Sequence, residues 1–187
     1  MPGIGVNIAI IKDGKILLTK REDFEIWCLP GGGVDEGETL AQAAIRETRE
    51  ETGLEVELLR LVGVYSRPRW TNESPHVLLF AARPVGGELK LNPDEVLEAR
   101  YFGPQEIPAD MVVDHALRIQ HAFSEAGGSL VWVQDTPWPL PAGLSREELY
   151  RMRDGSGMSK RDFYLHLFGE HDSGRNRPEI GKESGAG

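Results

Sequence analysis

The amino-acid sequence predicts an α/β protein built on a mixed β-sheet that lies between helical layers. Three observations carry this expectation. Two apolar runs joined by a tight turn open the chain. A helix with both ends marked follows near residues 39–53, and apolar segments of strand length resume directly after it. A second long helical segment comes later, near residues 109–128. Strands on both sides of a helix, with another helix beyond, bury their apolar faces by stacking as layers around one core. The 187 residues, 40% of them hydrophobic, suffice for one such core and an appendage.

The elements follow in order. VNIAIIKDGKILLTKR reads as a β-hairpin, with Asp13-Gly14 suited to a type I′ turn between its two apolar runs. In LPGGGVDEGETLAQAAIRETREETGL, Thr39 and Gln42 have capping-box spacing, so a helix starts there. Gly53 supplies its left-handed stop and Leu54 the apolar residue beyond it. EVELLRLVGVYSR and HVLLFAARPV are further strands, separated by the turn-rich PRWTNESP. GGELKL and EARYFGP are short strand candidates flanking NPDEV, and ADMVVDHALRIQHAFSEAGG is helical up to Gly127-Gly128. SLVWV suits one more strand, and DTPWPLPAGL is a proline-rich connector. SREELYRMR opens with Ser145 and Glu148 in capping-box spacing, so it starts a helix, and SKRDFYLHLFGE gives a second short one. The final HDSGRNRPEIGKESGAG is polar and glycine-rich, the composition of a disordered tail.

The helix at 39–53 poses a question of charge. At about 100° per residue, Ala41, Ala44, Ile45, Thr48 and Thr52 fall on a core face, while Glu47, Glu50 and Glu51 gather on another. Like charges three and four residues apart cost roughly 0.2–0.5 kcal/mol per pair, and Arg46 relieves Glu50 only in part. The excess negative charge calls for a cation. Oxygen-only ligands favour a hard divalent ion, Mg²⁺ with Mn²⁺ as a substitute. Taken alone, such a cluster is more commonly a solvated acidic face.

The surroundings decide between these readings. From Gly32 the sequence resembles the Nudix box, G-x5-E-x7-R-E-U-x-E-E-x-G-U with U a bulky apolar residue. Gly32, Glu38, Arg46, Glu47, Glu50, Glu51, Gly53 and Leu54 occupy its fixed positions, and Thr48 stands in for the first U. The resemblance implies an α/β/α sandwich over about residues 1–126, followed by an extension at 127–170 and the tail at 171–187. It also implies a hydrolase that cleaves a nucleoside diphosphate linked to another group, either an ADP-ribose-like molecule or a nucleoside triphosphate. By position, Glu47, Glu50, Glu51 and the Gly32 carbonyl would hold the metal, and Glu47 or Glu50 would help activate water. Glu38, Arg46 and Gly53 would be structural, the first two as an ion pair. Glu95, with Asp94 and Glu98 as competitors, occupies the place before a strand where members of the family carry a further metal ligand or base.

Arginines interleaved with aromatics suit a nucleotide, since guanidinium forks match phosphate oxygens and ring faces stack on bases. Arg21 and Trp27, with Phe24 between them, form one such group, and Arg67, Arg69 and Trp70 another. A Trp is nonetheless more often packing than platform. The five histidines have no zinc-site spacing, and DGSGMSK lacks the full phosphate-loop pattern and reads as a linker. A net charge of −9 argues against nucleic-acid polymers and acidic membranes as partners but suits a small nucleotide held through a metal. The single cysteine, Cys28, rules out an internal disulfide and suits the cytoplasm, and no signal peptide or spanning segment is expected. The extension has three readings: a cap over the site, a contact in a homodimer, or packing on the sheet. Two rivals to the hydrolase are a non-catalytic nucleotide sensor, which would not need the complete glutamate set, and an isoprenoid diphosphate isomerase, which would need a catalytic cysteine.

Overall fold

The computed structural model describes residues 3–70, 75–124, 130–169 and 176–180. The chain opens with the hairpin of β1 (Ile4–Lys12) and β2 (Lys15–Arg21), whose turn residues Asp13 and Gly14 both have positive φ, as type I′ requires. Two short strands follow: β3 (Trp27–Cys28) pairs with β2, and β4 (Gly31–Gly33) folds back onto β1. After α1 (Leu40–Thr52) come β5 (Leu54–Ser66), β6 (His76–Gly87), β7 (Val96–Phe102) and α2 (His115–Phe123). The chain continues through β8 (Leu130–Val133), α3 (Arg146–Gly155), α4 (Lys160–Phe168) and β9 (Arg177–Ile180).

The sheet is mixed. Its order is β3-β2-β1-β6-β5-β8-β9, with β4 paired to β1 and β7 to β2. β1 runs parallel to β6 and β5 parallel to β8, while β5 and β6 are antiparallel. Side chains alternate along β1, as the pleat dictates. Val6, Ile8 and Ile10 pack with Ala43 and Ala44 of α1. Ala9, on the opposite face, joins Leu79, Val62, Ile119 and Ala122 on the side of α2. Helices thus cover both faces. A third cluster joins Phe24 and Ile26 to Leu149, Phe163, Tyr164 and Phe168, so the C-terminal helices pack beside the β2–β3 turn. Among the described residues no helix is long and apolar enough to cross a membrane.

Several sequence expectations need correction. The buried stripe of α1 is Ala43, Ala44, Thr48 and Thr52, whereas Ile45 and Ala41 are exposed. The helix is rotated by about one position because it seats its smallest residues on the sheet, and the rotation turns Glu47 and Glu51 toward β4. Thr48 fits the core because its hydroxyl donates to the Ala44 carbonyl at 2.9 Å. The expected helix at 109–128 shrinks to His115–Phe123, since Met111 and Val112 are captured as backbone partners of Trp27. GGELKL forms no strand of its own: Gly86 and Gly87 end β6, and Lys90 donates its N–H to the Thr52 carbonyl at the end of α1. Within the tail expected to be disordered, Arg177–Ile180 forms β9 against β8, while residues 171–175 and 181–187 lie outside the described residues.

Candidate active site

The site begins with β4, three consecutive glycines laid along β1, with Gly31 opposite Asn7 and Gly32 opposite Val6. At Gly31 φ is 144°, and a Cβ there would lie 2.1 Å from the Val6 carbonyl oxygen. At Gly32 a Cβ would lie 2.5 Å from a carboxylate oxygen of Glu47. The glycines therefore let α1 bring its acids against bare backbone. α1 itself is fixed by the reciprocal bonds between Thr39 and Gln42 and by the left-handed Gly53.

The Glu51 carboxylate accepts the Gly31 N–H at 3.2 Å. Burial pushes its pKa up to about 8, and the charges of Glu47 and Glu95 add to the rise against the opposing pull of Gly31 N–H and Arg21. Glu47 is also raised, first by burial, with Glu50 and Glu95 contributing against Arg46. Glu50 is on the open side of the helix, its side chain 53% exposed. Glu95 precedes β7 on the turn whose carbonyl accepts the Glu22 N–H, and its charge reaches both Glu47 and Glu51. The field therefore joins Glu95 to the box glutamates, although some forty residues separate them in sequence.

Arg46 ties this group together. Its Nε and Nη2 take both oxygens of Glu38 at 2.7 and 2.9 Å, and Nη2 also donates to the Gly33 carbonyl at 3.1 Å. Its Nη1 spans Glu47 at 2.8 Å and Glu50 at 3.0 Å. Glu38 is held below the usual carboxylate range, chiefly by its bond to Arg46. Among the described residues no three acidic, histidine or cysteine side chains are drawn together into a metal cage. The donor chemistry nevertheless fits a hard divalent ion: oxygen atoms only, excess negative charge, and two carboxylates whose burial disfavours ionisation unless a cation compensates.

The expected substrate-binding residues divide. Trp27 is 6% exposed and packs edge-on against Phe102 at 4.9 Å, so its ring belongs to the core. Arg67 is buried with its guanidinium 4.4 Å from the Trp70 ring centroid. Trp70 in turn packs between Trp138 and Phe168 of the extension. Arg69 grips Asp135, from Nε to the carboxylate at 2.6 Å and from Nη2 to the carbonyl at 2.8 Å. This loop, expected to read the substrate, is instead fastened to the C-terminal extension, and its residues 71–74 lie outside the described residues. Arg21 differs from the others, because it faces an open cleft and its charge is felt at Glu51.

Sequence reasoning missed the supports behind the glycines. The Leu29 N–H donates to Nδ1 of His115 at 3.0 Å, and burial holds His115 neutral, its pKa well below the ordinary value. Arg118, 1% exposed, donates to Asn7 at 2.8 Å and to the Gln134 side-chain oxygen at 3.0 and 2.6 Å. The available signal was Asn7, a polar residue inside an apolar strand run.

Comparison with known proteins bears on the same segment. A family model described as the NUDIX domain matches residues 1–123. An ADP-ribose pyrophosphatase of Methanocaldococcus jannaschii is 40% identical over 119 residues, 61% of this chain and 69% of that protein. The NAD-capped RNA hydrolase NudC of Vibrio atlanticus is 35% identical over 105 residues, 55% of this chain and 38% of that protein. A crystal structure of an ADP-ribose pyrophosphatase from Streptococcus suis is similar with a TM-score of 0.58 at 25% identity, covering 67% of this chain and 92% of that one.

Proposed function

The chain belongs to the Nudix family and is a hydrolase of phosphoanhydride bonds, and from that premise we propose that its substrate is a nucleoside diphosphate linked to a sugar, of the ADP-ribose type. ADP-ribose and an NAD cap, named for two of the relatives, share an adenosine diphosphate joined to ribose, which supports this class. Another relative, 35% identical over 129 residues, is named a putative 8-oxo-dGTP diphosphatase and keeps the triphosphate as the rival substrate. The observation that carries the reading is the set of three glutamates, Glu47, Glu51 and Glu95, whose charges couple beside the glycine strand.

Glu47, Glu50, Glu51 and the Gly32 carbonyl would hold Mg²⁺, or Mn²⁺ in its place. When bound, that ion supplies the positive charge a diphosphate requires and makes water more acidic. Arg46 holds Glu47 and Glu50 in place, and the Gly31 N–H does the same for Glu51. Glu95, whose charge acts on Glu47 and Glu51 and whose carboxylate makes no hydrogen bond or ion pair among the described residues, is the acid left to meet the attacking water. In the hydrolysis, the oxygen of water bonds to one phosphorus as the bridging P–O bond breaks. The bridging oxygen leaves with the other phosphate, and the proton of water passes to Glu95.

The test is a substrate panel with the purified chain and Mg²⁺, including ADP-ribose, NAD and nucleoside triphosphates, with products identified. ADP-ribose should give AMP and ribose 5-phosphate. Faster release of pyrophosphate from a triphosphate would replace the ADP-ribose assignment.

A further inference from the structure

A cleft that the proposed chemistry does not use separates the β2–β3 turn from the C-terminal helices. It is half open to solvent, and its walls carry both aromatic and charged side chains. One wall is Arg21, Asp23 and Phe24, and the other comes from the extension, with Trp138, Tyr150 and Tyr164 contributing rings. The exposed Arg146 stands at its edge.

The walls are rigidly built. Asp23 takes both Arg21 nitrogens, Nε at 2.8 Å and Nη2 at 2.5 Å, and accepts the Tyr150 hydroxyl at 3.1 Å. Burial would raise the Asp23 pKa, but the Arg21 bond and charge, with Tyr150 and Arg146, bring it below the ordinary value, so it stays ionised. Arg153 Nη1 donates to the Asp23 carbonyl at 2.5 Å, and Lys160 binds the carbonyl and carboxylate of Glu22. The Tyr164 hydroxyl accepts the Val113 N–H at 3.0 Å, which fixes its ring 5.4 Å from Phe24. The extension is thus pinned to the β2–β3 turn, and the space between them is flanked by aromatic rings with a carboxylate and two guanidinium groups alongside.

We propose that this cleft is the nucleobase subsite, so that the extension completes the substrate site of the hydrolase, a proposal that rests on the hydrolytic reading above. Two observations select the occupant. The cleft adjoins the glutamate site through Arg21, which lines it and whose charge acts on Glu51, while the next residue, Glu22, donates its N–H to the Glu95 carbonyl at 2.9 Å. Its lining also matches a nucleotide in kind: ring faces for stacking, cations for phosphate oxygens, and a carboxylate and phenol for the polar edge of a base. The matched family segment ends at residue 123, so the rings of α3 and α4 lie outside it.

The experiment measures calorimetric binding of the four ribonucleoside 5′-monophosphates and of ribose 5-phosphate to the full chain without metal. At least one nucleotide should bind roughly tenfold or more tightly than the sugar phosphate, the scale of one base–ring stack. Tyr150→Ala should erase that difference, and Arg146→Glu, an exposed change that spares the fold, should reduce it. With ADP-ribose and Mg²⁺, Arg146→Glu should raise KM several-fold while kcat changes less than about twofold. Nucleotides that bind no better than ribose 5-phosphate, or variants that leave the preference intact, would overturn the proposal. A chain that prefers a nucleotide through the cleft yet hydrolyses no diphosphate would retain the subsite and refute the hydrolase substrate assignment instead.

Discussion

The backbone N–H of Leu29 donates to Nδ1 of His115, 86 residues further along the chain, at 3.0 Å. One helical turn later Arg118 holds Asn7, the β1 residue directly opposite Gly31. α2 therefore supports the glycine strand from two directions, through the residue leading into it and through the residue beside it. Neither His115 nor Arg118 belongs to the acidic group, yet both set where Glu47 and Glu51 meet backbone.

His115→Phe fills the space but leaves the Leu29 N–H buried without an acceptor, at a cost of about 1–3 kcal/mol. For a chain of this length that corresponds to a fall in melting temperature of roughly 2–12 °C. His115→Gln, which restores an acceptor oxygen, should recover part of it. Equal melting of the Phe variant and the wild type would show that this bond does not support the strand.

The same histidine makes stability depend on pH. Its folded pKa lies well below 6.5 because burial disfavours the imidazolium, so the folded state refuses a proton that the unfolded state accepts. Its contribution is fully present above about pH 6.5 and is lost as pH falls below that value, at up to ~1.4 kcal/mol per pH unit. Chemical denaturation at pH 7 and pH 5.5 should show a smaller loss in His115→Gln than in the wild type.

Glu51 acts in the opposite sense. Its folded pKa of about 8 lies above the unfolded carboxylate value, so its favourable contribution is complete below about pH 4.3 and is lost as pH rises toward 8. Metal-free Glu51→Gln should therefore melt higher than metal-free wild type at pH 8.5 and nearly alike at pH 4.5. Mg²⁺ should narrow the gap at high pH by stabilising the wild type more than the variant, which lacks one of the metal-holding carboxylates. Wild-type stability at pH 8.5 that ignores Mg²⁺ would count against a metal role for Glu51.

Glu50→Gln and Glu38→Gln separate chemistry from scaffolding. Loss of the Glu50 charge should lower turnover by ~10²-fold or more, as for other groups that stabilise charge in a transition state. Glu38→Gln weakens one partner of Arg46, which retains Glu47, Glu50 and the Gly33 carbonyl, so activity should fall less at a temperature where both proteins are folded. Steady-state rates beside melting curves check the ranking, and equal losses with unchanged melting would contradict it.

The central helix was legible because its determinants are local: a capping box, a left-handed glycine and an acidic pattern that fall within sixteen residues. Which side of it faces the core was less so. Ile45 outranks Ala43 in hydrophobicity, but the shallow gap over β1 admits only small side chains, and packing overrode the pattern. Trp27, Arg69 and Trp70 were candidate recognition groups by type, and their actual partners, Phe102, Asp135 and Trp138, lie between 66 and 75 residues away in sequence. The buttress from His115 and Arg118 was invisible for the same reason, since it spans 86 and 111 residues. Glu95 was legible only by resemblance, and its proximity to the other acids is a product of β2 pairing with β7.

The parallel pairing of β1 with β6 has a consequence for synthesis on the ribosome. Ile4–Ile10 find their sheet partner in His76–Ala82, so β1, on which the glycine strand β4 lies, has nothing to pair with on that side until more than eighty residues have emerged. Pairings of such long range are slow to form because the intervening loop must close before any contact rewards it. The acidic motif is complete at Leu54, yet the nascent chain cannot assemble it into a working arrangement until β6 leaves the exit tunnel, and the supports from α2 arrive some forty residues later still. A chain released early, after its motif but before β6, would therefore carry Glu47, Glu50 and Glu51 and no catalyst.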